Sequence, residues 1–412
     1  MSAMFEPFAH FLAYGATDQR TLREVTKGYQ GIVVPGTIAA FQSEGTRGFV
    51  LSLSAAERFP YVIDPRTPLF QSYIDVPKKS HIALARILGL DAVADSHGVV
   101  LPSAWDSEIV ENVSNRWLEF NRTYLTLQPK AFDKYARRLK KSLPQVDAEG
   151  PSWIIPPYLT ETSDYPGARD ISEALWTSAL VAATEGGYQS QLRRVISVVN
   201  PGELSNAALS TSEEEVIVWV SNLEETNLSN FELLSSYARS IREVALAGRK
   251  PFALYGGYFA VTLRSLGLVG ASHGVGFSEH RNHVELKSTG AAPARYYVER
   301  AHKFFPVDLA SELWRREPGV VAAGYAGYTS IDPQELEYHD LMMHSVRARQ
   351  HEIAITSGMT LSEHASDLAV AHMGLQQELS RVRLTEGLRR QVNSNLAHMQ
   401  MWSGVLTEVA DL

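Results

Sequence analysis

The sequence predicts a (β/α)8 barrel of the TIM type, an α/β fold, carrying a helical insertion and a C-terminal helical extension. Two observations predict the barrel. Short runs that are apolar on both faces end in Pro, Gly, Asn or Asp and alternate with helix-length segments, as strands of a parallel sheet do. Eight such runs fit a barrel of ~250 residues better than an open sheet. A third observation predicts the extension: strand signals stop at Asp332, and a helical apolar periodicity takes over.

In chain order, strands are expected at Gly31–Val34, Tyr61–Ile63, Trp153–Ile155, Val195–Val199, Val216–Val220, Phe252–Tyr255, Leu268–Ala271 and Tyr296–Val298. Amphipathic stretches at Ser229–Ala247 and Tyr258–Leu266 are helices between them. Residues 73–150 form a long, mostly helical insertion, with Trp105, Trp117 and Tyr124 to pack it. The division is therefore 1–331 for the barrel with its insertion and 332–412 for the extension. In the extension, Leu384, Leu388, Val392, Leu396, Met399 and Trp402 recur every three or four residues and define one apolar helical face. Arg381, Arg383, Arg389 and Arg390 keep the opposite face wet. The apolar face must be buried, either on the chain's own barrel, which the drift from a strict seven-residue repeat favours, or against a second subunit or another protein.

Of the 412 residues, 45% are hydrophobic and 20% charged, so a sizeable core forms and a disordered chain is excluded. There is no cysteine, which excludes disulfides, zinc–thiolate sites, iron–sulfur clusters and cysteine nucleophiles. A net charge of −8 argues against a general nucleic-acid coat, although a local basic patch can still grip phosphates. No apolar stretch is long enough for a membrane helix, and Met1-Ser2-Ala3-Met4-Phe5-Glu6 lacks the pattern of a secretory signal, so a cytoplasmic protein without a membrane partner is expected.

Barrel enzymes carry their chemistry at the carboxyl ends of the strands. Those positions supply Asp64, Arg66, Glu161, Asn200, Asn222, Glu224, Glu225, Gly256 and Gly257. Asp and Asn after a strand are also ordinary helix caps and turn residues, and Asn200-Pro201-Gly202-Glu203 reads as a turn. The densest cluster is GLVGASHGVGFSEHRN, residues 267–282. There Gly270, Gly274 and Gly276 permit close backbone approach to an anion, and His273, Glu279, His280 and Arg281 supply acid, base and fixed positive charge. A metal is not expected: His273, His280 and His283 do not match ligand spacing, and no cofactor motif occurs. His339, His344, His351, His364, His372 and His398 read as surface or packing residues of the extension. In the insertion, Lys134, Arg137, Arg138 and Lys141 share one helical face. That face is either simply solvated or a contact for a phosphate backbone.

Two stretches resemble the tRNA-guanine transglycosylase superfamily, (β/α)8 barrels that exchange a nucleobase on a nucleic acid. Against that family's Asp-Ser-Gly-Gly-Phe-Gln, this chain has Asp64-Pro65-Arg66-Thr67-Pro68-Leu69-Phe70-Gln71; Leu254-Tyr255-Gly256-Gly257, a helix, Gly267–Ala271 and Arg281-Asn282 follow in the family's order. The match covers about a tenth of the chain. Ser272 stands where the nucleophilic aspartate belongs, the early motif lacks its glycine pair, and the family's zinc cysteines are absent. The resemblance implies a barrel and a base-like or phosphorylated ligand, with a non-standard nucleophile.

Two functions are therefore expected. In the first, the barrel acts on a nucleobase, nucleoside or other phosphate-bearing ligand, free or in tRNA or DNA. Asp64 then serves as base or orienting group, His273, Glu279 and His280 move protons, and Arg281 with the glycine amides holds an anion. In the second, the barrel is catalytically inactive and serves as a recognition or scaffold subunit for nucleic acid or protein.

Overall fold

A computed structural model describes residues 8–139, 143–276, 279–283 and 293–411. Eight parallel strands form one sheet: β1 (Ala9–Ala13), β2 (Gly31–Pro35), β3 (Tyr61–Asp64), β4 (Trp153–Ile154), β5 (Arg194–Val198), β6 (Glu215–Val220), β7 (Lys250–Ala253) and β8 (Gly270–Gly274). Their order is β4-β3-β2-β1-β8-β7-β6-β5, so the chain's first strand lies beside its eighth. The two ends of the sheet meet through a parallel bridge, Ile154↔Leu192, and a bond from Arg193 N to the Ile154 carbonyl of 3.0 Å. This is the expected (β/α)8 barrel.

Strand pleating sorts the side chains. Ala9, Phe11, Val33, Val62, Trp153, Val195, Ile217 and Phe252 form a core of their own inside the barrel. Phe11 stacks on Trp153 at 5.8 Å although β1 and β4 are not neighbours, a contact that must cross the interior. The alternate residues, such as Leu12, Ile32, Ile63 and Val218, join the larger core beneath the helices.

The wall is completed by α1 (Gln19–Glu24), then α2 (Gly36–Phe41) and α3 (Ser43–Glu57) before β3. The insertion contributes α4 (Lys79–Leu88), α5 (Ser107–Arg122) and α6 (Pro129–Arg138), with Trp117 and Tyr124 fully buried as expected. Asp106 starts α5 by accepting from the Ile109 amide. Beyond β4 come α7 (Ala168–Glu185), α8 (Leu204–Leu209), α9 (Phe231–Leu246) and the short α10 (Tyr258–Thr262).

The strand set differs from the expectation at two places. Strand β1 was not expected, because His10 interrupts its apolar run; only Ala9, Phe11 and Ala13 face the interior. The segment Tyr296–Val298 is a strand, but outside the barrel. As β9 (Arg295–Val298) it pairs antiparallel with β10 (Lys303–Pro306), the chain reversing at His302 with φ 53°. A reversal that tight leaves no crossover helix and makes a hairpin.

Past β10 lie α11 (Val307–Arg316), α12 (Tyr338–Ile355), α13 (Leu361–Ser380) and α14 (Glu386–Ala410). Thr360 and Glu363 form a capping box at the start of α13. On α14, Val392, Leu396, Met399 and Trp402 are buried, with Leu384 and Leu388 half-buried against the main core. The covering elements are α13 and α9 of the same chain. Trp402 Nε1 donates to the Glu225 carbonyl at 2.6 Å, fastening the extension to the loop after β6.

Trp402→Ala should destabilise the protein by about 3–5 kcal/mol in denaturant unfolding, the usual cost of emptying a buried large aromatic site. A loss below about 0.5 kcal/mol would show that α14 is not part of the folding unit.

Candidate functional site

The carboxyl ends of the barrel strands build a polar mouth around Asp64. This residue ends β3 in register with Pro35, two positions beyond the interior pair Val33↔Val62, so its side chain points inward. It is buried, and its carboxylate is held from three directions. Oδ1 accepts from the Arg66 amide at 3.0 Å and from the Tyr158 hydroxyl at 2.9 Å, while Oδ2 accepts from the Tyr255 hydroxyl at 2.9 Å. Tyr255 follows β7, across the barrel from β3, so these bonds span the opening. Arg66 adopts a left-handed conformation, φ 53°, which turns its amide back onto the carboxylate.

Arg281 completes the network. Its Nη1 donates to the Tyr255 hydroxyl at 2.9 Å, and its guanidinium lies 5.0 Å from the centre of that ring. The Arg281 carbonyl accepts from Trp219 Nε1 at 3.2 Å and from the Asn222 amide at 3.4 Å, which fixes the loop after β8 over β6. Burial pushes the Tyr158 hydroxyl far above its ordinary range, with the Asp64 charge adding to it. Burial likewise moves Tyr255 up to about 12, against the opposing pull of Arg281. Both phenols therefore stay protonated and act as donors. Trp219, edge-on to Tyr158 and Tyr255, gives the mouth an aromatic wall. Ser221 bonds His283 Nδ1 at 2.8 Å on the same rim.

Asp64, Arg66 and Arg281 are thus brought together as the sequence suggests; His273 and Glu279 are not. On β8 the register sets Ser272 opposite Phe11 and Gly270 opposite Phe252, both interior residues, so His273 points outward. There it meets His10, Nε2 to Nε2 at 2.7 Å, while His10 Nδ1 bonds the Gly28 carbonyl at 2.9 Å. Burial depresses both imidazoles, His273 to about 3, and the Arg349 charge depresses them further. A neutral, buried imidazole pair behind the wall cannot serve the mouth as proton carrier. Ser272 is also committed, its hydroxyl donating to the Leu254 carbonyl within the wall.

Glu279 instead enters a second polar cluster, supplied largely by α12. Arg349, only 2% exposed, donates to Glu279 and has its Nε 3.4 Å from Glu352 Oε2. Glu352 accepts from the Tyr297 hydroxyl at 2.9 Å and meets His302 Nδ1 at 2.6 Å. Glu225 accepts from the Gly257 and Phe259 amides at 2.8 and 3.0 Å. Gly257 has no room for a side chain: a Cβ there would stand 2.7 Å from Glu225 Oε2 and 2.9 Å from the Glu279 carboxyl carbon. Burial raises Glu225 to about 7, with the Glu279 charge adding to it, and burial raises Glu279 to about 7 against Arg349.

The remaining expected residues have plainer places. Asn200 caps a turn, its Oδ1 accepting from the Gly202 amide at 3.0 Å. Asn222 and Glu224 are exposed, Asn222 at φ 65° in the tight turn after β6. Gly256 bonds the Ser272 carbonyl from its amide at 3.0 Å, and Gly257 faces carboxylates, so neither offers an anion cradle. Gly274 gives its carbonyl to His273 Nδ1, and Gly276 lies under Met342 of α12, 3.2 Å from where a Cβ would sit. These contacts occupy the glycines with the chain itself. His280 is exposed, and Phe277 and Ser278 lie outside the described residues. Lys134, Arg137 and Arg138 are exposed on α6, which packs on α3 and is therefore separated from the wall by a helix layer; Lys141 lies outside the described residues. Among the extension's histidines, His344 bonds the Tyr297 carbonyl and His398 the Ala301 carbonyl, as packing residues. Among the described residues no group of three His, Asp or Glu side chains is arranged to hold a metal ion, and no helix is long and apolar enough to cross a membrane.

Sequence reasoning missed Tyr158, Trp219, Tyr255 as a donor, and Arg349 with Glu352. Tyr158 stands a few residues past β4, and a search of strand ends extended that far would find it. No local signal marks Arg349, which sits within α12, where polar and apolar residues are buried alike.

The depressed histidines predict a pH response. A group whose folded pKa lies below its free value of 6.5 stabilises the fold above pH 6.5, and that contribution is lost as pH falls toward about 3. His273→Asn should therefore flatten the fall of unfolding free energy between pH 6.5 and 4, by up to about 1.4 kcal/mol per pH unit for one proton. Denaturant titrations at several pH values check this, and parallel curves for the two proteins would refute it.

No family model matches the chain, and no curated protein matches it. Among solved structures, an intracellular xylanase from Thermoanaerobacterium saccharolyticum aligns with 70% of this chain and 91% of its own, at 10% identity and a TM-score of 0.35.

Proposed function

We propose that the mouth binds a flat heterocycle carrying ring N–H groups, of the nucleobase class, and acts on the bond joining it to a sugar. One observation supports this reading above the others: an inward carboxylate spanned by two phenol donors, beside an arginine and an indole. A carboxylate in that position accepts a ring N–H or removes its proton. Trp219 offers a face for a base, and Arg281 offers a fixed cation for charge that develops on the ring or on a neighbouring phosphate. The choice of glycosyl transfer follows the resemblance to the transglycosylase superfamily and rests on it. Because Ser272 is tied into the wall, the reading gives it no covalent role and makes Asp64 the reacting carboxylate. The two-carboxylate scheme of ordinary glycosidases is a poorer fit. Glu161, further along the rim, already caps α7 through the Gly167 and Arg169 amides at 3.1 and 2.7 Å.

The scaffold reading keeps one observation in its favour, the same committed Ser272. The two separate in one experiment: purified protein is incubated with nucleoside and tRNA pools and the products are read by mass spectrometry. Asp64→Asn should lower product formation by about 10²-fold or more, the usual weight of general acid–base catalysis. Ligand that is bound but unaltered by the native protein would favour the scaffold. Tyr255→Phe, which removes one donor to Asp64, should reduce turnover by a smaller factor while the fold melts unchanged; equal loss in both variants would place Tyr255 among the reacting groups.

A further inference from the structure

The barrel is zipped everywhere except between β4 and β5. Above the single bridge at Ile154 the chain continues as Ile155-Pro156-Pro157, and two consecutive prolines have no N–H to offer a neighbouring strand. Two further groups of this segment are engaged elsewhere: the Ile155 carbonyl accepts from Trp117 Nε1 at 2.7 Å, and Tyr158 N bonds Thr67 Oγ1 at 2.9 Å. Backbone direction alternates along β5. Arg193 N points to β4 and the Val198 carbonyl accepts from Ser221 N on the β6 side, so the N–H and C=O of Val195 and of Ser197 face the seam. No backbone group of β4 reaches them. Unpaired backbone groups of a largely buried strand lose free energy unless something else satisfies them.

A cavity of about 290 Å³ lies over this seam, bounded by Pro156, Pro157, Trp176, Val195, Ser197 and Ala207. We propose that it is a binding site for one small flat heterocycle bearing a donor beside an acceptor on one edge. Such an edge pairs with the N–H and C=O of a single strand residue, Val195 or Ser197, as a missing strand would. The prolines and the indole supply apolar walls, as in most small-molecule sites. The volume suits one ring system and is too small for an extended peptide. The charged lining residues are of both signs and largely engaged: Arg194 is paired with Glu173, Arg169 lies 3.8 Å from Glu203, and Glu161 caps α7. Tyr158 lines the same cavity and donates to Asp64, so the two sites share one side chain. The proposal does not depend on the reading of the mouth.

Hydrogen exchange of the full-length protein, with adenine and uracil as separate millimolar probes, tests it. Without probe, the Val195 and Ser197 amides should exchange faster than those of Ile196 and Val198, which face β6. At least one probe should slow the first two by tenfold or more. Ala207→Trp, or Ser210→Trp should the first fail to fold, fills the cavity and should abolish this protection, while Asp64→Asn should leave it intact. Equal protection of all four amides in the free protein, no slowing by either probe, or slowing that survives in a folded filled variant would overturn the proposal. Slowing lost in Asp64→Asn would overturn it as well, by moving the probe to the mouth.

Discussion

The guanidinium of Arg349 is the constraint on which the rest of the architecture leans. It is held between the rings of Tyr258 and Tyr297, at 5.7 and 5.2 Å, with carboxylates of Glu279 and Glu352 beside it. A charge so far from water is tolerable only while its partners stay in place, and removing one partner of such a pair costs about 3–5 kcal/mol. The partners come from four parts of the chain: Tyr258 from α10, Glu279 from the segment after β8, Tyr297 from the hairpin and Glu352 from α12 itself. One buried cation thus obliges the barrel's last loop, the hairpin and the extension to dock together, and the positions of Gly257 and Arg281 follow from that docking.

Periodicity is a local property, and what it specifies locally is what the sequence makes legible. The parallel strands from Gly31 to Gly274 show as apolar runs because both of their faces are buried. The α14 face shows because one stripe of the helix meets α9 and α13. Strand β1 is hidden by His10, whose outward partner lies more than 260 residues away. The β9 segment looks like the others, since an apolar run does not disclose whether its partner is parallel or antiparallel. Asp64 and Arg281 were visible because strand ends are where a barrel exposes polar groups. His273 misled for a one-residue reason: along a strand, moving one position exchanges the interior for the wall.

Chemical character in this barrel divides along that wall. Inside, aromatic packing gives way at the top to a carboxylate held by three donors, two on Oδ1 and one on Oδ2. Outside, beneath α12, histidines are kept neutral and carboxylates are raised toward neutrality by burial. The second environment resembles a support more than a reaction site, because its charged groups are engaged by others of the same chain. Its contribution to the mouth is indirect: it holds the segment on which Arg281 is carried.

The bond from the Trp402 indole to the Glu225 carbonyl bears on how such a chain matures. It joins positions separated by 177 residues, and Arg349 closes on Glu279 across 70. During synthesis the strands leave the ribosome in order, yet β1 has to wait for β8, and the loops after β6 and β8 wait longer still for the last helix. Contacts that distant are slow to form, and surfaces left waiting for them are exposed to wrong partners. A nascent chain stalled before residue 402 would hold all eight strands and still lack the clasp on its β6 loop, so competence at the mouth should be acquired only once α14 has emerged and docked.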